Sequence, residues 1–176
     1  MKRLRTAMVA AAGAAVLISV TGCSEGREYA LPGDICGVAV GSALIAPLLP
    51  PGAKLEQSTY AARPHAPRCE LTVDKNTVLT VKGDVTTADE DVMGGIGQRL
   101  ASSGDPAQID VGDAARVADS MAVAVARCTY EGKPSQFVVE IYPPIKASDV
   151  PERREALARL MTVYFPAAQK AVGCAS

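Results

Sequence analysis

The chain has 176 residues, of which 48% are hydrophobic and 21% are charged. This composition is too apolar for a disordered chain and too charged for a bundle of membrane helices, and the length fits one globular domain. Three of the 18 basic residues lie at positions 2, 3 and 5, and without them 15 basic residues face 19 acidic ones. A mildly acidic body argues against nucleic-acid binding, which needs a basic surface.

The N-terminus has the order of a signal peptide. Lys2, Arg3 and Arg5 form a positive segment, and residues 7–20 follow with Ser19 as their one polar side chain. A helix that spans a bilayer needs about 20 apolar residues, so this shorter stretch predicts the core of a signal peptide.

The next four residues, Val20-Thr21-Gly22-Cys23, resemble the lipobox of bacterial lipoproteins: an aliphatic residue, a small residue and Gly or Ala before a Cys. The resemblance implies that residues 1–22 are a lipoprotein signal peptide, removed after Gly22, and that Cys23 carries diacylglycerol, with acyl chains of the palmitate type. Each methylene group buried in the bilayer contributes about 0.8 kcal/mol to membrane binding, so two acyl chains anchor a protein stably whereas one chain binds only reversibly. The alternative is an ordinary secretory signal that leaves Cys23 unmodified.

Four further cysteines, Cys36, Cys69, Cys128 and Cys174, predict disulfides, because an even number in an exported chain is typical of cross-linked proteins. Three connectivities are possible. We favour Cys36–Cys69 and Cys128–Cys174, which join nearest neighbours along the chain. A zinc site is the rival interpretation, but no C-x-x-C spacing is present, so no metal and no cofactor is expected.

The chain after the signal divides into a polar tether, residues 23–32, and a single domain, residues 33–176. Ser42 is expected to cap a short apolar helix that ends at the Pro50-Pro51-Gly52 run. Residues 61–67 are expected to form a loop, since two prolines within four residues suit neither a helix nor a strand ladder.

The clearest strand signal covers Cys69 to Val85, where apolar and polar residues alternate around a turn at Lys75-Asn76. Residues 87–90 resemble a capping box, and apolar residues from Val92 to Leu100 then follow at helical spacing.

The second half repeats the order of strand, turn, strand and helix. Residues 108–118 predict a small hairpin, Met121 to Tyr130 a central strand, and Phe137 to Tyr142 its partner. An amphipathic helix is expected from Pro151, with a kink or interruption at Pro166. The fold class predicted is α+β: an antiparallel sheet covered on one face by two or three helices, with two disulfides.

No set of residues predicts catalysis. The single histidine, His65, lies between prolines in a loop and has no evident nucleophile or orienting partner. The acids at 89–91 suit a first helical turn, and those at 110 and 113 suit a turn around Gly112. Gly94-Gly95-Ile96-Gly97 lacks the lysine of a phosphate-binding loop and fits close backbone packing or a loop. Arg153, Arg154 and Arg159 could meet lipid phosphates or an acidic partner, but a solvated helix face with local ion pairs is the simpler interpretation. Tyr142-Pro143-Pro144 fits a binding loop and a strand end equally.

The body resembles small actinobacterial lipoproteins of unknown function. The resemblance depends on an early Cys before a short apolar helix (Cys36 to Leu49), a second Cys that opens an alternating strand (Cys69 to Asp74), a third Cys in a late strand and a fourth near the C-terminus. That family implies no catalytic residues.

These observations predict a lipoprotein on the extracytoplasmic face of the cell membrane, held by lipid through Cys23. We expect a binding, sensor or accessory module of the cell envelope, with a protein partner there, no nucleic acid and no catalytic activity. The alternative is an envelope hydrolase with an unrecognised site. A small-ligand module should show an apolar pocket without titratable pairs, whereas a docking module should show an exposed apolar patch of several hundred Å².

Overall fold

The computed structural model describes residues 26–61, 67–143 and 150–175. The described part of the chain contains nine strands, three helices and one 3-10 turn at residues 46–48. In chain order the elements are β1 (Asp34–Ile35), β2 (Val38–Ala39), α1 (Ser42–Ile45), β3 (Leu55–Ala61), β4 (Pro67–Val73), β5 (Asn76–Thr87), α2 (Val92–Ser102), β6 (Ala107–Gln108), β7 (Ala114–Val117), β8 (Ala122–Tyr130), β9 (Lys133–Tyr142) and α3 (Val150–Ala171).

Seven strands form one antiparallel sheet in the order β3-β4-β5-β9-β8-β7-β6, and β1 and β2 form a separate small hairpin. Every adjacent pair of strands in the large sheet is antiparallel. The two long hairpins, β4–β5 and β8–β9, join where Val81 pairs with Ile141 and Val85 pairs with Phe137. The α+β class with an antiparallel sheet is therefore confirmed.

Helices α1 and α3 cover one face of the sheet, as predicted for two of the helices, and α2 packs on the opposite face. The alternation along β8 shows this directly: Ala122, Ala124 and Ala126 belong to the large core beneath α3, whereas Val123 and Val125 pack with α2. Since β8 is buried on both faces over this stretch, the prediction of a central strand at Met121 to Tyr130 is confirmed.

Both predicted disulfides are present. Cys36–Cys69 ties the β1–β2 hairpin to β4 with a Cα–Cα distance of 6.0 Å. Cys128–Cys174 ties the chain just after α3 to β8 with a Cα–Cα distance of 5.4 Å. Backbone hydrogen bonds between Thr129 and Ala175, at 2.7 and 3.0 Å, reinforce the second attachment.

Two predicted helix caps are wrong, although both helices form. The carboxylate of Asp91 accepts the N–H of Gly94 at 2.9 Å and caps α2, because Thr87 is the last residue of β5 and pairs with Ser135. The residue that caps α1 is Gly41, and Ser42 is already the first helical residue.

Several boundaries also differ from the prediction. Ala61 and Pro67 pair with each other as strand ends, so only the inner part of the predicted loop lies outside the described residues. The β4–β5 turn is formed by Asp74 and Lys75, both with positive φ, and Asn76 already belongs to β5. Pro166 does not interrupt α3, which runs from Val150 to Ala171.

The end of the predicted tether is held against the body. Backbone hydrogen bonds of 2.8 and 3.1 Å join residues 26–28 to Gly52, and the Arg27 guanidinium donates to the carbonyl oxygens of Leu49 and Ala46. The Tyr29 hydroxyl donates to the Pro50 carbonyl at 2.5 Å. From Gly26 onward, this segment follows the end of the sheet that carries the β4–β5 turn.

Candidate functional site

The main candidate site is an apolar cavity of about 180 Å³ between the sheet and the C-terminal half of α3. We call it the α3 cavity. The β1–β2 hairpin closes one side, and strands β4, β5 and β9 form the floor. Its lining residues are Cys36, Val38, Thr59, Pro67, Arg68, Cys69, Val81, Gly83, Phe137, Val139, Tyr164, Ala168, Ala171 and Val172.

Part of this space exists because β5 carries a glycine in its interior. A Cβ at Gly83 would lie 3.0 Å from Cγ of Pro67 and 3.6 Å from the Phe137 ring. Glycine weakens a strand and often marks a position that a ligand or another backbone approaches closely. Val81 and Val139, which neighbour Gly83 in the sheet, place side chains on the cavity floor. Gly83 places none there and so leaves room.

The Cys36–Cys69 disulfide forms part of the wall of the α3 cavity. It fixes the β1–β2 hairpin over β4, and Val38 of that hairpin also lines the cavity. The amide of Gln57 strengthens the same attachment, since it accepts the N–H of Cys36 at 2.8 Å and donates to the carbonyl of Asp34 at 3.3 Å. This wall of the cavity is therefore held by three segments of the chain: the β1–β2 hairpin, β3 and β4.

Two titratable side chains line the cavity, and they do not form a pair. Tyr164 is 7% exposed, and burial raises the pKa of its phenol to about 12. Arg68 uses its guanidinium for the protein itself: Nη1 donates to the carbonyls of Gly83 at 2.7 Å and Pro67 at 3.1 Å. Its Nη2 lies 3.8 Å from the carboxylate of Asp84. This arrangement can bind an apolar group but offers no acid–base couple.

Asp91 and Asp113, two of the acidic residues noted in the sequence, accept hydrogen bonds from backbone N–H groups. Besides the cap formed by Asp91, the hydroxyl of Thr87 hydrogen-bonds the carboxylate of Asp89 and holds the pKa of that exposed group below its usual value. The carboxylate of Asp113 accepts the N–H of Arg127 at 2.7 Å, which makes it a turn residue as predicted. Asp110 is exposed nearby.

Gly94 is required by the cap of α2, since a Cβ there would lie 2.1 Å from a carboxylate oxygen of Asp91. At Gly94, therefore, the interpretation of the glycine run as a place of close packing is confirmed. At Gly95 and Gly97 a Cβ would meet nothing within 4 Å.

Two of the three arginines of α3 do more than form local ion pairs. Arg153 Nε donates to the carbonyl of Asp119 at 2.5 Å, and Arg154 donates to the carbonyl of Asp105 and lies 3.4 Å from the Asp119 carboxylate. These contacts fix the start of α3 to the loops on either side of β6 and β7. Arg159 makes the predicted local pair with Glu155 at 3.0 Å.

The opposite face of the sheet carries a polar network rather than an open site. Tyr142 donates its hydroxyl to Glu140, which also pairs with Arg99 of α2 at 3.2 Å. The ammonium group of Lys82 lies 4.6 Å from the centre of the Tyr142 ring, a cation–π distance. These side chains are thus already engaged with one another.

Two of the candidate residues lie outside the part of the chain that the structure describes. Cys23, with the whole lipobox, and His65 lie outside the described residues. Within residues 26–61, 67–143 and 150–175, no group of three or more His, Cys, Asp or Glu side chains is arranged to hold a metal ion. None of the helices described there has the length and apolar character needed to cross a bilayer.

Sequence reasoning missed three features of the site: Gly83, Tyr164 as a polar group in a cavity wall, and the disulfide as a wall. The one available signal was the glycine at position 83 inside an alternating strand. Tyr164 belongs to an apolar helical stripe and looked like an ordinary core residue. Comparison with known proteins adds no assignment, because no protein family, curated protein or solved structure matches this chain.

Proposed function

We propose that the protein is a lipoprotein of the extracytoplasmic membrane face, anchored through Cys23, which binds a small apolar ligand in the α3 cavity and has no catalytic activity. The lipobox at residues 20–23 and the preceding signal-peptide pattern support the anchor. The pairing of four cysteines in two disulfides also supports this location, since disulfides persist in oxidising compartments outside the cytoplasm.

The observation that carries the binding role is the apolar cavity without a titratable pair. Its volume of about 180 Å³ is comparable to a cavity of roughly 150 Å³ that binds benzene or xenon in an engineered protein. The ligand, or the part of it that enters, is therefore about the size of one six-membered ring. A larger ligand would extend out of the cavity into solvent, since Thr59, Pro67 and Ala171 of its lining are exposed.

The exposed surface favours ligand binding over docking of an envelope protein. Among the described residues, Tyr60 and Val163 are the large hydrophobic side chains that are exposed, at 51% and 40%. Tyr60 is on β3 and Val163 on α3. Two separated side chains do not make the apolar patch of several hundred Å² that marks a typical docking surface.

The proposed anchor would hold the body directly at the bilayer. Gly26, the first described residue, contacts the body and follows Cys23 by three positions, a distance of about 10 Å at full extension. The α3 cavity uses Pro67 and Cys69, at the end of β4 away from that attachment. Pro67 and Val73 are the two ends of β4 and lie six positions apart, or about 20 Å along the strand.

Binding can be tested by thermal unfolding of the full chain in lipid nanodiscs, with toluene as the probe. Toluene at ten times its Kd should stabilise the protein by about 1.4 kcal/mol, which raises Tm by about 3 to 6 °C. Ala168→Leu places three extra carbons in the cavity wall and should abolish the shift. Ala167→Leu is the matched control, because it makes the same change one residue away, outside the cavity lining, and should keep the shift.

The absence of any Tm shift in the wild-type protein at saturating toluene would overturn the binding proposal. An equal shift in wild type and Ala168→Leu would show that toluene acts elsewhere, and would equally overturn the assignment of the α3 cavity. The loss of the shift in both variants would mean that it reports helix stability rather than occupancy of the cavity.

A further inference from the structure

The two disulfides differ in their access to solvent. Cys36 is partly exposed, and both Cys36 and Cys69 line the α3 cavity. Cys128 and Cys174 are buried, at 9% and 2% exposure. A thiol must reach a sulfur atom before it can exchange with a disulfide, and exposed disulfides are the labile ones. A reductant should therefore open Cys36–Cys69 before it opens Cys128–Cys174.

The Cys36–Cys69 disulfide holds the tip of the β1–β2 hairpin in an unusual conformation. Cys36 and Gly37 form the turn between the two strands, with φ values of 49° and 86°. A turn of this kind favours Asn, Asp or Gly at its first position, and a residue with a Cβ has positive φ only where its surroundings impose it. The disulfide and the bond from the Cys36 N–H to the Gln57 amide, at 2.8 Å, attach this turn to the sheet. The Asp34 carboxylate supports it from within the hairpin, since it accepts the N–H of Gly37 at 2.8 Å.

The base of the same hairpin is attached independently of the disulfide. The side chain of Ile35 is fully buried in the core, and the N–H of Val40 donates to the carbonyl of Gly33 at 3.1 Å. The tip, by contrast, supplies Cys36 and Val38 to the wall of the α3 cavity, and both residues are only partly buried. Breaking the disulfide would thus release the part of the hairpin that closes the cavity and leave its base in place.

We propose, on the basis of the binding function above, that the Cys36–Cys69 disulfide is a redox-controlled closure of the α3 cavity. In the oxidised protein the hairpin tip closes one side of the cavity, and the ligand is retained. A dithiol reductant at the extracytoplasmic face opens the bond, the tip moves away from the sheet, and ligand binding weakens. The buried Cys128–Cys174 disulfide keeps the end of α3 attached during this change.

The reduction consists of two thiol–disulfide exchanges. A thiolate of the dithiol attacks Sγ of Cys36, the more exposed of the two residues; the S–S bond breaks, and Cys69 leaves as a thiolate that takes up a proton. The second thiol of the reductant then attacks the mixed disulfide, forms the disulfide of the reductant and releases Cys36 as a thiol. Two electrons and two protons pass from the dithiol to the cysteine pair, and a disulfide oxidant that accepts them restores the closed state.

The test compares toluene binding by the oxidised and the reduced full chain in lipid nanodiscs, by isothermal titration with the signal of empty nanodiscs subtracted. Dithiothreitol is added in increasing steps, and alkylation followed by mass spectrometry shows which disulfide has opened at each step. We expect Cys36–Cys69 to open first and the Kd for toluene then to rise about tenfold, as it does when the binding-competent state is populated in about one molecule in ten. Reoxidation should restore the original Kd. Because reduction leaves both sulfur atoms in the chain, the change in Kd reports the cross-link and not a missing part of the wall.

The control is Cys36→Ala/Cys69→Ala, which lacks this disulfide, so the same steps of dithiothreitol should leave its Kd for toluene unchanged. A change in the control would show that the reductant acts by another route and would overturn the proposal. Opening of Cys128–Cys174 first, or loss of the far-UV circular dichroism when Cys36–Cys69 opens, would overturn the local role of the disulfide. An unchanged Kd after selective reduction would also overturn it and leave cavity binding intact. If the oxidised wild-type protein does not bind toluene, the binding function itself is wrong.

Discussion

The buried phenol of Tyr164 should make the protein lose stability at alkaline pH. Burial raises the pKa of this group from 10.0 to about 12 in the folded protein, whereas in the unfolded chain it ionises near its ordinary value of about 10. Between these values the folded state binds more protons than the unfolded state, so the free energy of unfolding falls as pH rises. Below pH 10 both states are protonated and the contribution is constant.

The magnitude follows from the size of the shift. One pKa unit corresponds to about 1.4 kcal/mol, so a rise of about two units gives a loss of about 2 kcal/mol by pH 12 and about 3 kcal/mol at its limit. That is a large part of a typical domain stability of about 5 to 15 kcal/mol. Above pH 12 the loss levels off, because the phenol is then ionised in both states.

The assay is urea-induced unfolding of the full chain at several values of pH between 8 and 12, with the disulfides checked by mass spectrometry. Other groups also titrate in this range, so the quantity to compare is the difference between wild type and Tyr164→Phe. Tyr60→Phe is the matched control, because Tyr60 is 51% exposed and should leave the pH dependence unchanged. Parallel curves for wild type and Tyr164→Phe up to pH 12 would refute the reasoning.

Three further predictions concern the cross-link, the cap of α2 and the anchor. Replacing Cys128 and Cys174 together by Ala opens a 46-residue loop and should cost about 4 kcal/mol in urea unfolding by the chain-entropy estimate; an unchanged midpoint would contradict it. Asp91→Ala should lower stability by about 1 kcal/mol in thermal unfolding, whereas Asp91→Asn, which keeps an acceptor, should not; equal losses would exclude the capping role. Cys23→Ser should remove the lipid mass and release the protein from the membrane fraction, and an unchanged mass and distribution would argue against the anchor.

The elements that could be predicted well from the sequence are those with one apolar, buried face and one polar face. Cys69, Leu71 and Val73 alternate with polar neighbours and are buried in β4, and Val92, Ile96 and Leu100 form the buried side of α2. β3, by contrast, was missed. Leu55 is its one partly buried residue and the rest of the strand is exposed, so the edge strand lacks the apolar alternation that predicts strands.

The caps show how tertiary contacts override a local pattern. Residues 87–90 resemble a capping box, but β5 extends to Thr87, so that residue belongs to the sheet ladder. The amide of the buried Gln136 donates to the carbonyls of Thr87 and Glu90 at 2.9 and 2.7 Å. This side chain comes from β9, far away in sequence, and it holds the turn so that Asp91 becomes the cap. A pattern confined to four residues contains no information about that contact.

The α3 cavity could not be predicted from the sequence for the same reason. Its floor comes from β4, β5 and β9, its roof from α3, and its side from the β1–β2 hairpin. The apolar residues that contribute to it, such as Val81, Phe137 and Val139, each have the pattern of ordinary core residues in the sequence. The space between them depends on the distance at which α3 crosses the sheet and on the absence of a side chain at Gly83. The sequence shows that glycine, but it does not show that the glycine lies in the floor of a cavity.

The repeated order of strand, turn, strand and helix in the two halves does not reflect an internal two-fold symmetry. β5 and β9 are antiparallel neighbours, and a two-fold axis that exchanges such neighbours is perpendicular to the sheet. An axis of that direction would place the two helices on the same face. Since α2 and α3 pack on opposite faces, the halves are not equivalent. The face under α3 carries both Cys69 and Cys128 in its core together with the α3 cavity, so the proposed binding role falls on the face that both disulfides attach.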